Sequence, residues 1–537
     1  KDYRVVSSIP QGSEVLWILF RDFTTTSVGQ TTPIASRENQ IRLTLVASLA
    51  FSPDISFTVS GLRSSVVNEI AEVVTVEGAE YRFVDISVTS QAEVSFCALN
   101  GVMNTAGRAE QVSDGSVLVF WLCTNSSIPA FTDVVIALDI TNLATEQPAA
   151  NLSIRVDAPV VDFELDRALT VASIDFLGVT DGASPFRVMP PRWSTSKISQ
   201  SVPFPGAANT LSVLLQSTID LQGSDVSTIT ITNISGAFVE EDWVDVRVVK
   251  DGVQVAGALF CEGGSDSSSS GRWRADTGDL VLSVCEREVF EAISEYEVHF
   301  TVTNPQTAQL SPSVFIEASG TATFAKQSLA GLDGSEADVF GVAGGADALF
   351  VMIPAFETRS IAQSNFFSGK QNLITATIMT NIDLASEHDS YLSLCCLESA
   401  EISGTSVPVV VSGPGVLPEF CVDQDGTGGA GQARWDPSSL EIIMYVCPDA
   451  DNKISSWSEF SVSFNVTNPS FNQESPTITI SAGATVPGSG IDAVEAVKPG
   501  LTVLGVANGN DPMRVVIPEF VVRTASQSTP VSGATNR

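Results

Sequence analysis

The side chains that most often perform catalysis are scarce in this chain. Its 537 residues include two histidines, His299 and His388. Serine triads, zinc hydrolases and imidazole proton relays all depend on histidine, so these reactions lack their usual groups. We therefore predict that the protein is not an enzyme and has no catalytic residue, no cofactor and no metal.

Two acidic runs resemble the beginning of a calcium-binding loop. Asp423-Gln424-Asp425-Gly426 follows Cys421, and Asp449-Ala450-Asp451-Asn452 follows Cys447. Neither run has the later glycine or the distal bidentate glutamate of such a loop. We expect solvated loops here, with calcium binding as the alternative.

A third acidic run, Glu240-Glu241-Asp242, precedes Trp243. Paired carboxylates near a sugar-stacking ring are typical of glycosidases, so a carbohydrate-active enzyme is one interpretation. Adjacent residues of a strand point to opposite faces of the sheet, and three consecutive acids are typical of a soluble hairpin shoulder. We rank the enzyme last.

Arg272-Trp273 and Arg434-Trp435 each lie twelve residues before a cysteine. Such a tryptophan can present a platform for a sugar, or it can pack inside the fold beside a disulfide. The first repeat has Glu110-Gln111 at this place, and a shared binding function should not vanish from one copy. The structural role is therefore favoured over glycan binding.

Six cysteines form three regularly spaced pairs, each flanking a polar loop. The pairs, separated by 26, 24 and 26 residues, are Cys97 with Cys123, Cys261 with Cys285, and Cys421 with Cys447. The spacing predicts one disulfide in each repeat, which would stabilise it by roughly 3 kcal/mol; buried reduced cysteines are the alternative. Disulfides indicate an extracellular or secretory history.

Cys395 and Cys396 are adjacent, and the second repeat has Ile231 and Thr232 in their place. Because neighbouring side chains of a strand face opposite ways, Cys395 is expected to occupy the core position of Ile231. A vicinal disulfide, free thiols and a link to another chain all stay open.

The chain contains three repeats. Pro190, Pro354 and Pro518 recur every 164 residues, each at the end of an apolar strand that follows a Gly-Val turn. A strand that ends in asparagine repeats upstream in the same register, at Asn142, Asn304 and Asn468. Three copies in register indicate tandem domains.

Hydrophobic residues alternate with polar ones between these landmarks, as in residues 227–232 and 244–248. This period of two predicts β-strands, and Lys250-Asp251-Gly252 has the composition of a hairpin turn. We predict an all-β fold of three tandem Ig-like β-sandwich domains, each of about 164 residues with one disulfide. Residues 66–74 are the one stretch expected to form a brief helical turn.

Four similar segments accompany only three repeats. Residues 16–30 align with residues 192–200, 356–363 and 520–527, which leaves one apolar segment without a domain. If this segment inserted as a strand into an incomplete neighbouring sandwich, the insertion would bury the apolar strand and also cover the hydrophobic groove of that sandwich. We therefore predict a donor strand for another subunit, formed by Leu16, Trp17, Ile18, Leu19, Phe20 and Phe23; a longer tandem array is the alternative.

This alignment divides the chain at its junction segments. We assign residues 1–30 to an N-terminal junction or donor strand, and residues 31–200, 201–363 and 364–527 to the three sandwiches. Residues 528–537 are assigned to the start of a further repeat or to a tail, because residues 528–533 resemble residues 201–206.

The charge and the modification motifs restrict the partners. A formal net charge of -35 disfavours binding to nucleic acid, and the apolar stretches are too short to insert into a membrane. Four Asn-X-Ser/Thr sequons, at Asn125, Asn151, Asn233 and Asn465, are glycosylation candidates in a secreted protein.

The alternating strands, the cysteine pair in each repeat and the Asn-Pro turns resemble tandem Ig-like β-sandwich proteins of extracellular filaments, appendages and adhesins. The resemblance implies a structural or adhesive role outside the cell or on its surface. We predict a filament or appendage subunit that assembles with copies of itself into a homopolymer, head to tail, by strand complementation. A glycan-binding adhesin is the alternative.

Overall fold

The computed structural model of the chain describes residues 5–6, 9–10, 22–51, 53, 55–76, 79–100, 105–158, 163–171, 173–261, 269–332, 337–449 and 451–537. Regular structure in these residues is almost entirely β-strand, which confirms the all-β prediction. Two short strands, β1 (Val5–Val6) and β2 (Ile9–Pro10), pair with each other, and three tandem sandwich domains follow.

The first domain contains one α-helix as well as strands. Its elements are β3 (Phe23–Gln30), β4 (Glu38–Ala47), β5 (Ser56–Ser60), α1 (Ser64–Ile70), β6 (Glu72–Val76), β7 (Ala79–Asp85), β8 (Ser87–Ser90), β9 (Phe96–Cys97), β10 (Arg108–Val112), β11 (Val117–Leu122), β12 (Asp133–Thr141), β13 (Ser153–Ala158), β14 (Phe163–Ala168) and β15 (Thr170–Val171). The helix confirms the expected helical turn but ends at Ile70, where β6 soon follows.

The second and third domains repeat one strand order. The second consists of β16 (Trp193–Gln200), β17 (Ala208–Ser217), β18 (Leu221–Gln222), β19 (Thr228–Thr232), β20 (Trp243–Lys250), β21 (Val253–Gln254), β22 (Ser270–Arg274), β23 (Asp279–Ser283), β24 (Val289–Phe290), β25 (Tyr296–Thr303), β26 (Phe315–Ser319) and β27 (Phe324–Ser328). The third consists of β28 (Phe356–Gln363), β29 (Gln371–Thr380), β30 (Leu384–Ala385), β31 (Tyr391–Cys395), β32 (Ser406–Ser412), β33 (Phe420–Cys421), β34 (Gln432–Asp436), β35 (Glu441–Val446), β36 (Lys453–Ile454), β37 (Phe460–Thr467), β38 (Thr479–Gly483) and β39 (Ile491–Glu495).

Each domain has two layers of strands around one hydrophobic core. In the second domain the order is β16-β17-β25-β20-β22-β23-β19-β26-β27. The end of β20 pairs with β25 and its beginning pairs with β22, so this strand passes from one layer to the other. Strand β17 shows why the layers pack: Leu211, Val213 and Leu215 are buried, and more polar residues alternate with them.

The first strand of each domain closes its own sandwich. Strand β3 pairs antiparallel with β4 and parallel with β15. Strands β16 and β28 pair antiparallel with β17 and β29, and parallel bridges join Lys197 to Ala330 and Ser360 to Val497. The aligned segments are therefore domain starts, and the pairing assigns residues 193–200 and 356–363 to the domains that follow them.

The predicted donor strand falls largely outside this description. Leu16, Trp17, Ile18, Leu19 and Phe20 lie outside the described residues, whereas Phe23 begins β3 and pairs with Ala47 of its own domain. By the same pairing, the domains comprise residues 22–190, 191–354 and 355–518, and each contains its first strand.

The three predicted disulfides are present. Cys97 bonds Cys123, Cys261 bonds Cys285 and Cys421 bonds Cys447, with Cα atoms 5.1 to 5.2 Å apart. Each bond joins strands or strand ends on either side of a polar loop, as the spacing indicated.

The predicted core position of Cys395 is wrong by one residue. Leu394 pairs with Ile480 as Ile231 pairs with Ile316, so Leu394 fills the buried position. Cys395 is half-buried, and its Sγ lies 2.7 Å from Sγ of Cys396. Burial is the main cause that raises the pKa of the Cys395 thiol to about 11, and the neighbouring thiol adds to it.

Candidate functional site

The residues that the sequence suggested for chemistry do not converge on one site. Glu240, Glu241 and Asp242 lie in an exposed bend before β20, and His299 shares a 2.8 Å hydrogen bond with the Ser212 hydroxyl. Within the described residues, no three His, Cys, Asp or Glu side chains are grouped so that they could hold a metal ion. None of the described helices is long and apolar enough to cross a membrane.

The two candidate sugar platforms are core residues. Trp273 is 3 % exposed and Trp435 is 4 % exposed. Their arginine neighbours stack elsewhere, Arg272 on the ring of Trp243 and Arg434 on that of Tyr445. These tryptophans therefore contribute to packing, and neither presents a ring to a ligand.

All four sequon asparagines are exposed, namely Asn125, Asn151, Asn233 and Asn465. The Asn233 side chain donates a 2.7 Å hydrogen bond to the backbone oxygen of Ser313. Attachment of a glycan to Asn233 would break this hydrogen bond. The other three asparagines are exposed in the same way. Glycosylation stays a prediction.

A repeated feature with a defined geometry lies instead between the domains. At the end of the second domain, Asn209 donates 2.8 Å hydrogen bonds to Oε1 of Gln200 and to Oδ1 of Asn304. Gln200 donates in turn to the backbone oxygens of Gly345 and Phe350. These three amides are buried, and they tie the first strand to the segment that closes the domain.

The same amides hold the loop that reaches the next domain. Asn304 donates hydrogen bonds of 2.8 and 2.9 Å to the backbone oxygens of Val202 and Phe204. The other two domains contain equivalent clusters, Gln30 with Asn39 and Asn142, and Gln363 with Asn372 and Asn468. We call each set of three the amide cluster of its domain.

The closing segment of each domain contains a Gly-Val turn. Gly178, Gly341 and Gly505 have φ angles of 72°, 67° and 82°, in the left-handed region that glycine adopts at little cost. The three turns therefore have the same backbone conformation, and the first two dock on the domain that follows.

The first junction is centred on Asp220 of the second domain. Its backbone N–H donates a 3.0 Å hydrogen bond to the oxygen of Leu177, and its carboxylate accepts a 2.7 Å bond from the N–H of Ala292. A methyl group on Gly178 would overlap both Asp220 and Ala292. The turn thus fits against the second domain only because residue 178 has no side chain.

The second junction repeats this arrangement around Asp383. Its N–H donates a 2.7 Å bond to the oxygen of Phe340, and its carboxylate accepts a 2.7 Å bond from the N–H of Ser456. The Ser456 hydroxyl donates to the oxygen of Gly341, and Lys453 forms an ion pair with Asp383. The contact is therefore built twice with equivalent residues.

Apolar side chains cross both junctions. Val179 is 1 % exposed and belongs to the core cluster of the second domain, and Val342 is 3 % exposed and belongs to that of the third. Ile34 and Phe204 enter the same two clusters, and the ring of Phe204 lies 4.9 Å from that of Phe340. The first and second domains therefore each contribute side chains to the hydrophobic core of the domain that follows.

Asp220 is partly withdrawn from solvent at the first junction. Burial raises the pKa of its carboxyl group, and the hydrogen bond from Ala292 opposes this rise only in part. The ionised form is consequently less favourable in the folded chain than in the unfolded chain.

Sequence reasoning identified part of the junctions. The glutamines, asparagines and Gly-Val turns were visible as repeats. Asp220 and Asp383 were missed, although each stands in an Ile-Asp-Leu sequence, at residues 219–221 and 382–384, that could have revealed them. The first domain has Ala50 at the equivalent position. Ala47 pairs with the start of β3 as Ser217 pairs with the start of β16, and Ala50 and Asp220 each lie three residues further along the chain.

No protein-family model matches the chain, and no curated protein matches it. Among solved structures, the C-terminal domain of the Streptococcus agalactiae antigen I/II polypeptide BspA has a TM-score of 0.32 and 6 % identity, over 57 % of this chain and 99 % of that chain. The C-terminal domain of Streptococcus pyogenes AspA, of the antigen I/II family, has a TM-score of 0.31 and 6 % identity, over 57 % and 98 %. The collagen adhesin of S. aureus has a TM-score of 0.17 and 11 % identity, over 57 % and 90 %. Similarity at this level assigns neither a family nor a function.

Proposed function

We propose that the chain is an extracellular structural subunit of a filament or surface appendage, in which sandwich domains stack head to tail. The observation that carries this proposal is the junction, which is built twice from equivalent residues around Asp220 and Asp383. A contact that recurs with the same hydrogen bonds sets the same relation between neighbours each time, which is the requirement for an extended structural array.

The disulfides and the charge fit this role. One bond per domain stabilises the fold by roughly 3 kcal/mol in an oxidising environment. The strongly negative surface keeps neighbouring arrays apart in solution, since like charges repel.

Strand complementation between subunits has less support than the docking of whole domains. Each of the three sandwiches already contains its first strand, so none has an open position among the described strands. The remaining donor residues are Leu16 to Phe20, which lie outside the described residues. A chain that lacks residues 1–21 retains β3 and separates the two mechanisms.

Electron microscopy of the purified chain tests the proposal. We expect particles with a narrow distribution of angles at both junctions. The variant with Asp220→Ala and Asp383→Ala is the control and should broaden both distributions. Freely hinged domains in the unaltered chain would contradict the structural role. Linear assemblies that the unaltered chain forms at high concentration, and that disappear without residues 1–21, would restore strand complementation.

The glycan-binding adhesin is the second candidate. Its predicted ligand residues, Trp273 and Trp435, are buried, so binding would have to use another surface. Saturable binding on a glycan panel by the unaltered chain would favour this candidate over the structural one.

A further inference from the structure

The third domain ends in the same turn as the other two, but its turn is uncovered. Leu504 is 81 % exposed, whereas its counterparts Leu177 and Phe340 are half-buried. A methyl group added to Gly505 would meet no atom within 4 Å. The surface that is used at the two junctions is thus present a third time without an occupant.

This surface is a groove at the end of the third domain. It has a volume of about 580 Å³, and apolar side chains line much of it, among them Phe367, Leu504, Val506, Ile517 and Val521. Phe367 aligns with Ile34 and Phe204, which are buried in the next domain at the two junctions, but Phe367 is only half-buried. We call this surface the terminal groove.

The segment that follows the groove has the hydrogen bonds of a domain start. Asn536 donates to Oε1 of Gln527 over 3.0 Å, as Asn209 donates to Gln200. The Asn536 carboxamide oxygen also accepts a 2.8 Å bond from the N–H of Ser528. These residues lie exposed in solvent, where such an arrangement has no core to hold it.

The register extends to the next residue. The N–H of Arg537 donates a 3.0 Å bond to the Ser528 hydroxyl, as the N–H of Thr210 donates to Ser201 in the second domain. Residues 527–537 therefore repeat the local structure that joins the first and second strands of a sandwich.

We infer that the terminal groove is the docking surface for a fourth domain of the same repeat, whose first strand is residues 520–527. At this surface an aspartate equivalent to Asp220 and Asp383 donates its N–H to the oxygen of Leu504. The side chains of Phe367 and Val506 enter the core of the docked domain.

A second copy of this chain fits the groove less well. Its first domain carries Ala50 where the docking aspartate stands in the other two, so it lacks the carboxylate that braces the junction. Its own β3 already fills the first-strand position. Residues 520–527, with Phe520 at 80 % exposure, would then stay unpaired.

Hydrogen exchange on a lengthened chain tests this inference. Residues 201–354 are appended a second time after Gln527, in place of residues 528–537, so that residues 520–527 take the place of β16. Peptides that cover residues 500–508 should exchange at least tenfold more slowly than in the unaltered chain, and at the rate of residues 336–344. The matched control carries Asp220→Ala in the appended copy alone and should lose most of this protection.

Three readings decide the outcome. Formation of the added Cys261–Cys285 disulfide, read from intact mass, verifies that the appended domain has folded. A second lengthened chain, in which residues 364–518 are appended instead, repeats the measurement with another domain. Equal exchange of residues 500–508 with and without either folded addition would overturn the inference. Protection that appears in the unaltered chain as its concentration rises would also overturn it, in favour of a second copy. Because these measurements concern one groove, they can fail while the array still stacks as proposed.

Discussion

The turns at Gly341 and Gly505 have the same conformation and opposite surroundings. Both glycines have left-handed φ angles, and each is followed by a valine. Val342 is buried in the core of the next domain, whereas Val506 is half-buried at a free surface. The comparison shows that the turn conformation is set locally, while its burial depends on the neighbouring domain. Matched substitutions at the covered and uncovered positions can therefore isolate what a junction contributes.

The largest difference in stability is expected between substitutions of two equivalent aromatic residues, Phe204 at the second junction and Phe367 in the terminal groove. Phe204→Ala should lower the free energy of unfolding by about 3–5 kcal/mol, because it leaves a cavity in the core of the third domain, to which the second domain contributes this ring. Phe367→Ala removes a half-buried ring and should cost about 1 kcal/mol. Differential scanning calorimetry measures both, and equal losses would show that Phe204 does not couple the domains.

The amide clusters provide the second contrast. Asn209→Ala leaves the buried acceptors of Gln200 and Asn304 without their donor, so we expect a loss of about 2–4 kcal/mol. Asn536→Ala removes the same kind of bond in an exposed segment and should cost less than about 0.5 kcal/mol. Chemical denaturation followed by tryptophan fluorescence compares the two; a near-neutral Asn209→Ala would mean that water replaces the lost donor.

The third contrast concerns the glycines themselves. Gly341→Ala should cost about 2–4 kcal/mol, since left-handed alanine is strained and its methyl group overlaps the Asp383 carboxylate. Gly505→Ala carries the backbone strain alone and should cost about 1 kcal/mol. Thermal melts provide the comparison. Indistinguishable melting temperatures would place the whole effect in the backbone and none in the junction.

The smallest effect is the pH dependence of the first junction. Because burial raises the pKa of Asp220 in the folded chain, its carboxyl favours folding when protonated, and this contribution is lost as the pH rises through the raised pKa. Asp220→Asn keeps an acceptor for Ala292 and should stay within about 1 kcal/mol of the unaltered chain at pH 7. From pH 7 to pH 4.5 the unaltered chain should gain stability relative to this variant. Parallel stability profiles over that range would contradict the role given to the carboxyl.

The sequence predicted the parts of the fold that depend on local pattern. Alternation around Ile229 and Val246 predicted strands, and the regular spacing of cysteines such as Cys97 and Cys123 predicted the disulfides. These features can be found because the two faces of a strand, and the two ends of a loop, have a fixed relation along the chain.

The features that depend on pairing between distant residues were harder to predict. A junction segment such as residues 193–200 looks the same in sequence whether it ends one domain or begins the next. Its hydrogen bonds to β17 decide between these assignments. Cys395 was placed one residue from its true register for the same reason. Asp220 stands in an Ile-Asp-Leu sequence that recurs around Asp383, but its contact with Leu177 could not be predicted, because Leu177 lies on another domain.

The valines that cross the junctions couple the stability of each domain to that of its neighbour. Val179 and Val342 each complete the core of a domain to which they do not belong, so unfolding one domain withdraws a core residue from the next. A row of units coupled in this way melts as an array with nearest-neighbour cooperativity. The middle domain, which is covered at both ends, is therefore expected to unfold last, and the two outer domains should begin the transition.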